Sequence, residues 1–318
     1  MATAPAELNA IRLVYLLMKA SLRAGTTRVH VDNSDLATGV GSIAAIEADR
    51  TIFLVTRNCS LKWKQIEVGV ASAPGSTGPT AAGVQFEALA SRIEACELCP
   101  RLRTYCAEIA RVRRRAYADQ TYWGKPVPSF GDPDARVLAL GLAPGAHGSN
   151  RTGRPFTGDG SGNFLYPVLF ETGFASQPLA QSREDGMRLK DLHITSVVRC
   201  APPGNKPLPA EIKNCATFVD KEIAILKNLR VVVCLGKIAF DGYVAHLLRT
   251  GKISDRKGLV FRHGAECSLP EGQQVLATYH PSLQNTNTGL LTRAMFRDIF
   301  LRARVLAQLP HLAASLEK

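Results

Sequence analysis

One short apolar segment limits the folds open to this chain more than any other feature. It runs from Leu229 to Leu235 and, after Arg230, is apolar at every position. A half-exposed strand alternates apolar and polar residues, whereas a strand buried on both faces is apolar throughout. The segment therefore predicts a central strand of a sheet that helices cover on both sides.

Three further segments have strand character and alternate with helical patterns. They run from Arg136 to Leu140, from Leu192 to Val198 and from Gln274 to Tyr279. Apolar residues recur at helical spacing over about Pro209–Leu226 and Leu290–Leu309. Because strands that alternate with helices form parallel sheets, we predict an α/β fold. Its three layers, α/β/α, would surround a central, mainly parallel four-stranded sheet.

The first part of the chain differs from the rest. Residues 1–82 contain no recognisable motif, and residues 71–83 have the Pro, Gly, Ser, Thr and Ala content of a linker. A short helix is expected from Ile11 to Leu22, with short strands over 52–55 and 66–70. The predicted division is an extension over 1–82, a main domain over 84–310 and a tail over 311–318.

The charge of the chain is positive and clustered. The formal net charge is +12, and six arginines lie between Arg101 and Arg115. Clustering favours a nucleic-acid partner over a generally basic protein, and the stretch from Arg101 to Arg115 is expected along a DNA backbone. No run of eighteen apolar residues occurs, so no membrane span is expected. Eight cysteines without a signal peptide indicate reduced thiols or a metal, and a cytoplasmic protein.

A glycine-rich loop, Gly141–Asp159, follows the strand that ends at Leu140. Ligands in open α/β sheets bind beyond the carboxyl ends of the strands, so this loop is a candidate site. It matches no known phosphate-binding loop, and its composition fits a plain surface loop equally well. Its candidate side chains are polar (Asn150, Asp159), aromatic (Phe156) and cationic (Arg151, Arg154).

A second candidate segment, Thr278–Asn285, reads T-Y-H-P-S-L-Q-N and closes the last predicted strand. A histidine held rigidly at a strand end can donate an N–H to a substrate oxygen. Taken alone, His280 is better explained as a side chain that bonds to nearby backbone.

Four cysteines form two pairs, Cys96 with Cys99 and Cys200 with Cys215. Four thiolates suit a tetrahedral zinc ion or a [4Fe–4S] cluster, and spacing alone favours zinc. Four unligated buried cysteines remain an alternative. The other cysteines are expected to be ordinary thiols.

Together, the loop and the His280 segment resemble the paired motifs of the uracil-DNA glycosylase superfamily. The likeness is greatest to its iron–sulfur branch, family 5 in particular, and covers about residues 84–310. It implies a monomeric enzyme that starts base excision repair by flipping uracil from DNA and hydrolysing its N-glycosidic bond. It also implies that Cys96, Cys99, Cys200 and Cys215 hold a structural [4Fe–4S] cluster. A non-catalytic iron–sulfur protein that binds or senses DNA is the alternative.

The resemblance assigns roles to individual residues. Catalysis falls to Asn150, Asp159 and His280, and the resemblance leaves open which of Asn150 and Asp159 positions the water. The remaining assignments are base binding by Gly141, Ala143, Phe156, Ser196 and His280, and DNA contacts by Arg154, Ser282, Leu283 and Gln284, with Leu283 or Gln284 as the wedge.

Three positions depart from related families. Ala143 stands where family 1 enzymes have Asp, and Leu142 stands where family 4 enzymes have Glu. Ser196 stands where relatives carry an Asn that reads the amide edge of uracil. Because a hydroxyl cannot make that paired contact, we expect other deaminated bases, such as hypoxanthine or xanthine, to be accepted as well.

Overall fold

The computed structural model describes residues 80–310 in full and the backbone of four short strands before them. The chain divides into two compact units, Met1–Thr77 and Gly78–Lys318. The helix expected from Ile11 to Leu22 and the tail over 311–318 lie outside the described residues.

The first unit contains a four-stranded antiparallel sheet in the order β1-β2-β3-β4. Two of these strands coincide with the segments expected over 52–55 and 66–70. The strands are β1 (Val29–His30), β2 (Ala44–Ala48), β3 (Thr51–Val55) and β4 (Ile66–Glu67).

The second unit is built around a six-stranded sheet in the order β5-β7-β6-β8-β10-β9. The four inner strands are parallel and are the four that the sequence predicts. The strands are β5 (Phe130–Gly131), β6 (Val137–Gly141), β7 (Leu192–Ser196), β8 (Val231–Leu235), β9 (Glu266–Ser268) and β10 (Gln274–Thr278).

The prediction of a four-stranded sheet is corrected by two short antiparallel edge strands, β5 and β9. They are two and three residues long, and neither is buried. Segments of this length give no apolar periodicity, so they leave no signal in the sequence.

Eight α-helices are present among the described residues. Three of them, over Ser149–Thr152, Lys237–Arg249 and Leu283–Asn287, were not predicted. The longest of the three follows Gly236, which has φ of 96° and supplies no capping side chain. None of these helices is both long and apolar enough to cross a bilayer. The helices are α1 (Ala81–Glu94), α2 (Pro100–Val112), α3 (Ser149–Thr152), α4 (Gly160–Glu171), α5 (Pro209–Ile225), α6 (Lys237–Arg249), α7 (Leu283–Asn287) and α8 (Arg293–Leu306).

Successive residues of the inner strands enter opposite cores. Leu138 and Leu140 of β6 pack with residues of α2, α5 and α6. Val137 and Ala139 pack on the other face with residues of α4 and α8. Both faces of every inner strand are therefore buried, as the apolar run in β8 predicts, and the unit has the three-layer α/β/α architecture.

The functional segments meet at one edge of this sheet. Gly141 pairs in register with Ser196, and Leu235 pairs with Thr278, so the carboxyl ends of all four inner strands are adjacent. The chain passes from β6 to β7 on one side and returns to β8 on the other, which creates a switch point at β6. The glycine-rich loop and the His280 turn both start from this edge.

Candidate active site

A cavity of about 870 Å³ lies at this edge of the sheet. Its walls come from the glycine-rich loop, the end of β7 and the turn after β10. Among the residues that line it are Ala143, Phe156, Asp159, Ser196 and His280. Segments more than 120 residues apart in sequence thus contribute to one site.

Phe156 is held in an unusual backbone conformation, with φ of 51°. Its N–H donates to Ser149 Oγ at 3.0 Å, which stabilises this turn of the loop. Its ring lies over Gly141, where a β-carbon would be only 3.0 Å from Cζ. Left-handed backbone in a bulky residue is costly and is concentrated at functional sites. The strain fixes an aromatic face in the cavity.

His280 lies across the cavity from this face, with its ring centre 5.9 Å from that of Phe156. Its carbonyl accepts hydrogen bonds from the Ser282 N–H and from Asn285 Nδ2, both at 2.8 Å, which holds the turn. Burial lowers the pKa of His280 to about 4. The imidazole is therefore neutral at physiological pH and keeps one N–H that it can donate.

Asp159 lines the cavity and also caps helix α4, where Oδ1 accepts from the Gly162 N–H at 2.9 Å. Its carboxyl group lies against Gly148, where a β-carbon would be 1.8 Å from Oδ2. Burial raises the pKa of Asp159, and the helix N–H groups with Arg151 offset part of this rise. The result is a desolvated carboxylate beside the aromatic face.

Asn150 does not line the cavity. The side chain is fully buried behind the loop, and Nδ2 lies 3.4 Å from the carbonyls of Cys106 and Ala146. Its Oδ1 has no hydrogen-bond partner. The geometry separates the two candidates, because Asp159 faces the cavity and Asn150 ties the loop to α2.

Ser196 ends β7, and its buried side chain lines the cavity floor. A β-carbon at Gly141 would lie at an ordinary contact distance of 3.5 Å from Ser196 Oγ, so the tight packing at Gly141 comes from Phe156. Ala143 also lines the cavity and offers no polar group.

Arg154 does not reach the cavity, which argues against its expected contact with DNA. The guanidinium is buried and pairs with both carboxylate oxygens of Asp185, at 2.8 and 2.7 Å. Its Nε donates to Thr157 Oγ1 at 2.9 Å. Arg154 therefore braces the loop after α3, where sequence reasoning saw only a cation in a glycine-rich segment.

Ser282, Leu283 and Gln284 line the mouth of the cavity. Ser282 caps the short helix α7, and its Oγ accepts from the Asn285 N–H. Leu283 is 57% exposed, and its side chain covers Gly160, where a β-carbon would lie 2.7 Å from it. An exposed leucine at the mouth of a polar site is placed as a wedge would be.

The four predicted cluster cysteines come from three parts of the chain, namely the connection between α1 and α2, the segment after β7 and helix α5, and they influence one another's pKa. Burial raises the pKa of Cys99 most strongly, and the charges of Cys200 and Cys96 add to the rise. Burial likewise raises the pKa of Cys215 to about 12, with smaller contributions from Cys200 and Cys99. All four thiols are free. Four free thiols suit a four-thiolate group in their chemistry.

The cysteines are nevertheless not in ligating geometry. Within residues 80–310, no three His, Cys, Asp or Glu side chains are grouped closely enough to hold a metal ion. The thiol of Cys106, a fifth cysteine, influences the pKa of Cys200 and donates to the Ala201 carbonyl at 3.6 Å.

Sequence reasoning missed a group of residues on the cavity wall, among them Arg114, Tyr117 and His147. In the sequence, Arg114 is one arginine of a basic stretch and His147 is one residue of the glycine-rich loop, and neither pattern singles the residue out. The aromatic residues before that loop were the available signal.

Comparison with known proteins identifies relatives over most of the second unit. The family model described as the uracil DNA glycosylase superfamily matches residues 128–304. A Type-5 uracil-DNA glycosylase of Thermus thermophilus is 50% identical over 224 residues, which is 70% of this chain and 99% of the relative. A Type-5 uracil-DNA glycosylase of Mycobacterium tuberculosis is 46% identical over 68% of this chain and 79% of its own length. A Type-5 uracil-DNA glycosylase of Pyrobaculum aerophilum is 40% identical over 69% of this chain and 92% of its own length.

Proposed function

Because the chain belongs to the uracil DNA glycosylase superfamily and is a DNA N-glycosylase that excises uracil, we propose how its cavity carries out that reaction. The observation that carries the proposal is the convergence of Phe156, Asp159, Ser196 and His280 on one cavity. The base, flipped from the duplex, stacks on Phe156 and reaches the floor at Ser196. Gly141 and Ala143 let it approach the ends of the strands closely.

His280 stabilises the leaving base. Cleavage of the N-glycosidic bond places negative charge on the base, and a fixed N–H donor stabilises that charge in the transition state. The neutral imidazole of His280 suits this role, since its burial lowers its pKa to about 4 and the turn after β10 restricts its position.

Asp159 positions the attacking water and stabilises the cationic sugar. It is the carboxylate of the loop that faces the cavity, whereas Asn150 supports the loop from behind. Its hydrogen bond to the Gly162 N–H fixes one oxygen and leaves Oδ2 for the water. This geometry supports Asp159 over Asn150, the choice that the sequence leaves open.

DNA contacts come from the mouth of the cavity. Leu283 fills the space left by the flipped base, with Gln284 beside it, and Ser282 contacts a flanking phosphate. We also propose that hypoxanthine or xanthine is accepted, because Ser196 can donate or accept one hydrogen bond without demanding the amide edge of uracil.

The four cysteines Cys96, Cys99, Cys200 and Cys215 would hold a [4Fe–4S] cluster, for which their free thiols have the right chemistry. When bound, this group supplies a cross-link and no redox step. It would fasten the start of α2 to α5 and thereby hold the basic stretch after Cys99 in place. The protein is proposed to act as a monomer.

The test is single-turnover release of uracil from a duplex with one G·U pair, with anaerobically purified protein. We expect His280→Ala to lower the rate at least about 100-fold, since removal of one transition-state donor typically costs that much. His263→Ala is the matched control, because His263 is half-buried near the same strand end but does not line the cavity. Equal losses in both variants, or release unaffected by His280→Ala, would contradict the assignment.

Substrate breadth is tested in the same assay. Hypoxanthine or xanthine release that falls in Ser196→Asn while uracil release is retained would support the proposed role of Ser196. Unchanged ratios among the three bases would exclude it.

A further inference from the structure

A second group of side chains lines the same cavity. It comprises Arg114, Tyr117 and His147, which lie on the wall formed by the chain after α2 and by the start of the glycine-rich loop. None of them has a part in the proposed base chemistry. Their chemistry therefore calls for a different ligand.

The imidazole of His147 is a neutral donor whose orientation is fixed. Tyr122 Oη lies 3.0 Å from His147 Nδ1, and the same oxygen accepts from the Arg114 N–H at 3.3 Å. We assign the phenolic proton to the hydrogen bond with Nδ1, which places the imidazole proton on Nε2. Burial lowers the pKa of His147, and the charges of Arg114 and Arg151 lower it further.

Arg114 is a cation without a committed partner. The ion pairs of the basic stretch use other arginines, Arg101, Arg103 and Arg111. Arg113 is also engaged, because its guanidinium donates to the carbonyls of Ala110 and Ala118. Among the described residues, Arg114 is thus the exposed arginine of the stretch that borders the cavity without an ion pair.

The remaining cation beside this wall is already used. Arg151 is buried, stacks 4.0 Å from the centre of the Tyr117 ring, and donates to the carbonyls of His147 and Gly158. It adds positive potential but offers no free face. An anion at the wall would therefore meet Arg114 and the His147 N–H.

We propose that Arg114 and His147 bind one phosphodiester group of the DNA strand whose base enters the cavity. The inference rests on the proposed function, since it takes DNA as the ligand. A guanidinium and a neutral imidazole N–H both donate to phosphate oxygens, and neither reads sequence. The contact anchors the backbone next to the flipped nucleotide, while Tyr122 acts as a positioning residue that presents the His147 donor.

The experiment measures coupling between single phosphates and single side chains. Binding of the full-length protein is followed by fluorescence anisotropy, on a duplex that carries 2′-fluoro-2′-deoxyuridine opposite guanine so that the base is not released. Each phosphate near that nucleotide is replaced in turn by an uncharged methylphosphonate. In the wild-type protein, we expect one position at which the replacement weakens binding about tenfold or more, as for a charge-assisted hydrogen bond.

In Arg114→Ala, the replacement at that position is expected to have a clearly smaller effect, because only the His147 contact remains, and the slope of log affinity against log salt should fall by about 1. His147→Ala and Tyr122→Phe should reduce the effect of the same replacement. Arg115→Ala is the matched control, because Arg115 is the next residue and equally exposed but does not line the cavity. It should keep the full effect.

The proposal is overturned if the loss of affinity at each methylphosphonate position is as large in Arg114→Ala as in the wild-type protein. It is also overturned if Arg115→Ala reduces that loss as much as Arg114→Ala does. Failure of the proposed function is seen separately, as wild-type protein that releases no uracil from the unmodified duplex. Release that is intact while the coupling is missing would refute the phosphate contact alone. Thermal melting of each variant shows that a change in binding does not come from unfolding.

Discussion

Gly148→Ala moves the Asp159 carboxylate without removing it, and so tests whether that carboxylate takes part in the reaction. A β-carbon at Gly148 would lie 1.8 Å from Oδ2 and 2.5 Å from Cγ, whereas real contacts of this kind do not fall below 3.0 Å. The carboxylate must therefore shift by about 1 Å or more. The φ of Gly148 is −102°, outside the left-handed region, whereas its ψ of −102° lies outside the ranges that L-residues favour, so thermal melting of the variant accompanies the rate measurement.

A shift of this size has a predictable effect on the rate. Displacement of a reacting group by about 1 Å can slow catalysis about 100-fold. We expect a loss of this order in single-turnover uracil release, measured by rapid quenching with enzyme in excess. Gly145→Ala is the milder counterpart, since its β-carbon would lie 2.9 Å from the same oxygen. Its loss should stay below about tenfold, because the atoms need to move only slightly.

A double-mutant cycle shows whether the effect acts through the carboxylate. Asp159→Asn keeps a helix cap, because Asn caps as well as Asp, but removes the charge. In that background, Gly148→Ala should cause little further loss, because the group that it displaces is already inactive. A loss of about 100-fold in both backgrounds, or a larger effect from Gly145→Ala than from Gly148→Ala, would refute the reasoning.

Three further predictions follow from the same structure. Burial lowers the pKa of His280 to about 4, so between about pH 6.5 and 4 the unfolded chain binds more protons than the folded one. As the pH falls through this window, the free energy of unfolding should decrease by about 3 kcal/mol in denaturant titrations, and His280→Ala should make the decrease smaller. Leu283→Ala should slow uracil release from a G·U duplex about tenfold but leave release from single-stranded DNA nearly unchanged, because only the duplex has a gap to fill. Equal losses on the two substrates would exclude Leu283 as the wedge. Cys215→Ala should abolish visible absorbance and bound iron in protein purified anaerobically. Cys267 is a half-buried thiol on an edge strand, so Cys267→Ala should keep both. A colourless wild-type protein would contradict the cluster.

The parallel inner strands of the sheet could be predicted from the sequence, because strands that are buried on both faces are rich in apolar residues. Strand β8 is apolar at every position because it enters two cores, and the four segments with strand character became the four parallel strands. In β7, the buried polar residues His193 and Thr195 interrupt this pattern. The edge strands β5 and β9 are too short and too exposed to show an apolar pattern in the sequence. Helix α6 begins without a capping side chain, so its start was not visible either.

Much of the candidate site could be located, but not the direction in which each side chain points. Asn150 and Asp159 are nine residues apart in one loop and equally polar, yet one is packed against α2 and the other faces the cavity. Arg154 was expected at DNA and is buried against Asp185, a partner thirty-one residues away. The sequence pattern shows which residue types are available at a site, but it does not show which distant residues pack against them.

The sequence by itself determined the layers of the main unit, the edge of the sheet where ligands bind, and the residue types available there. These follow from local rules, because strand burial and strand order depend on the chain's own periodicity. Only the tertiary structure decided which loop side chains face the cavity and which brace it, and that Arg114 joins His147 on one wall. Those choices depend on positive-φ turns and on contacts between distant segments, whose energies no single stretch of sequence contains.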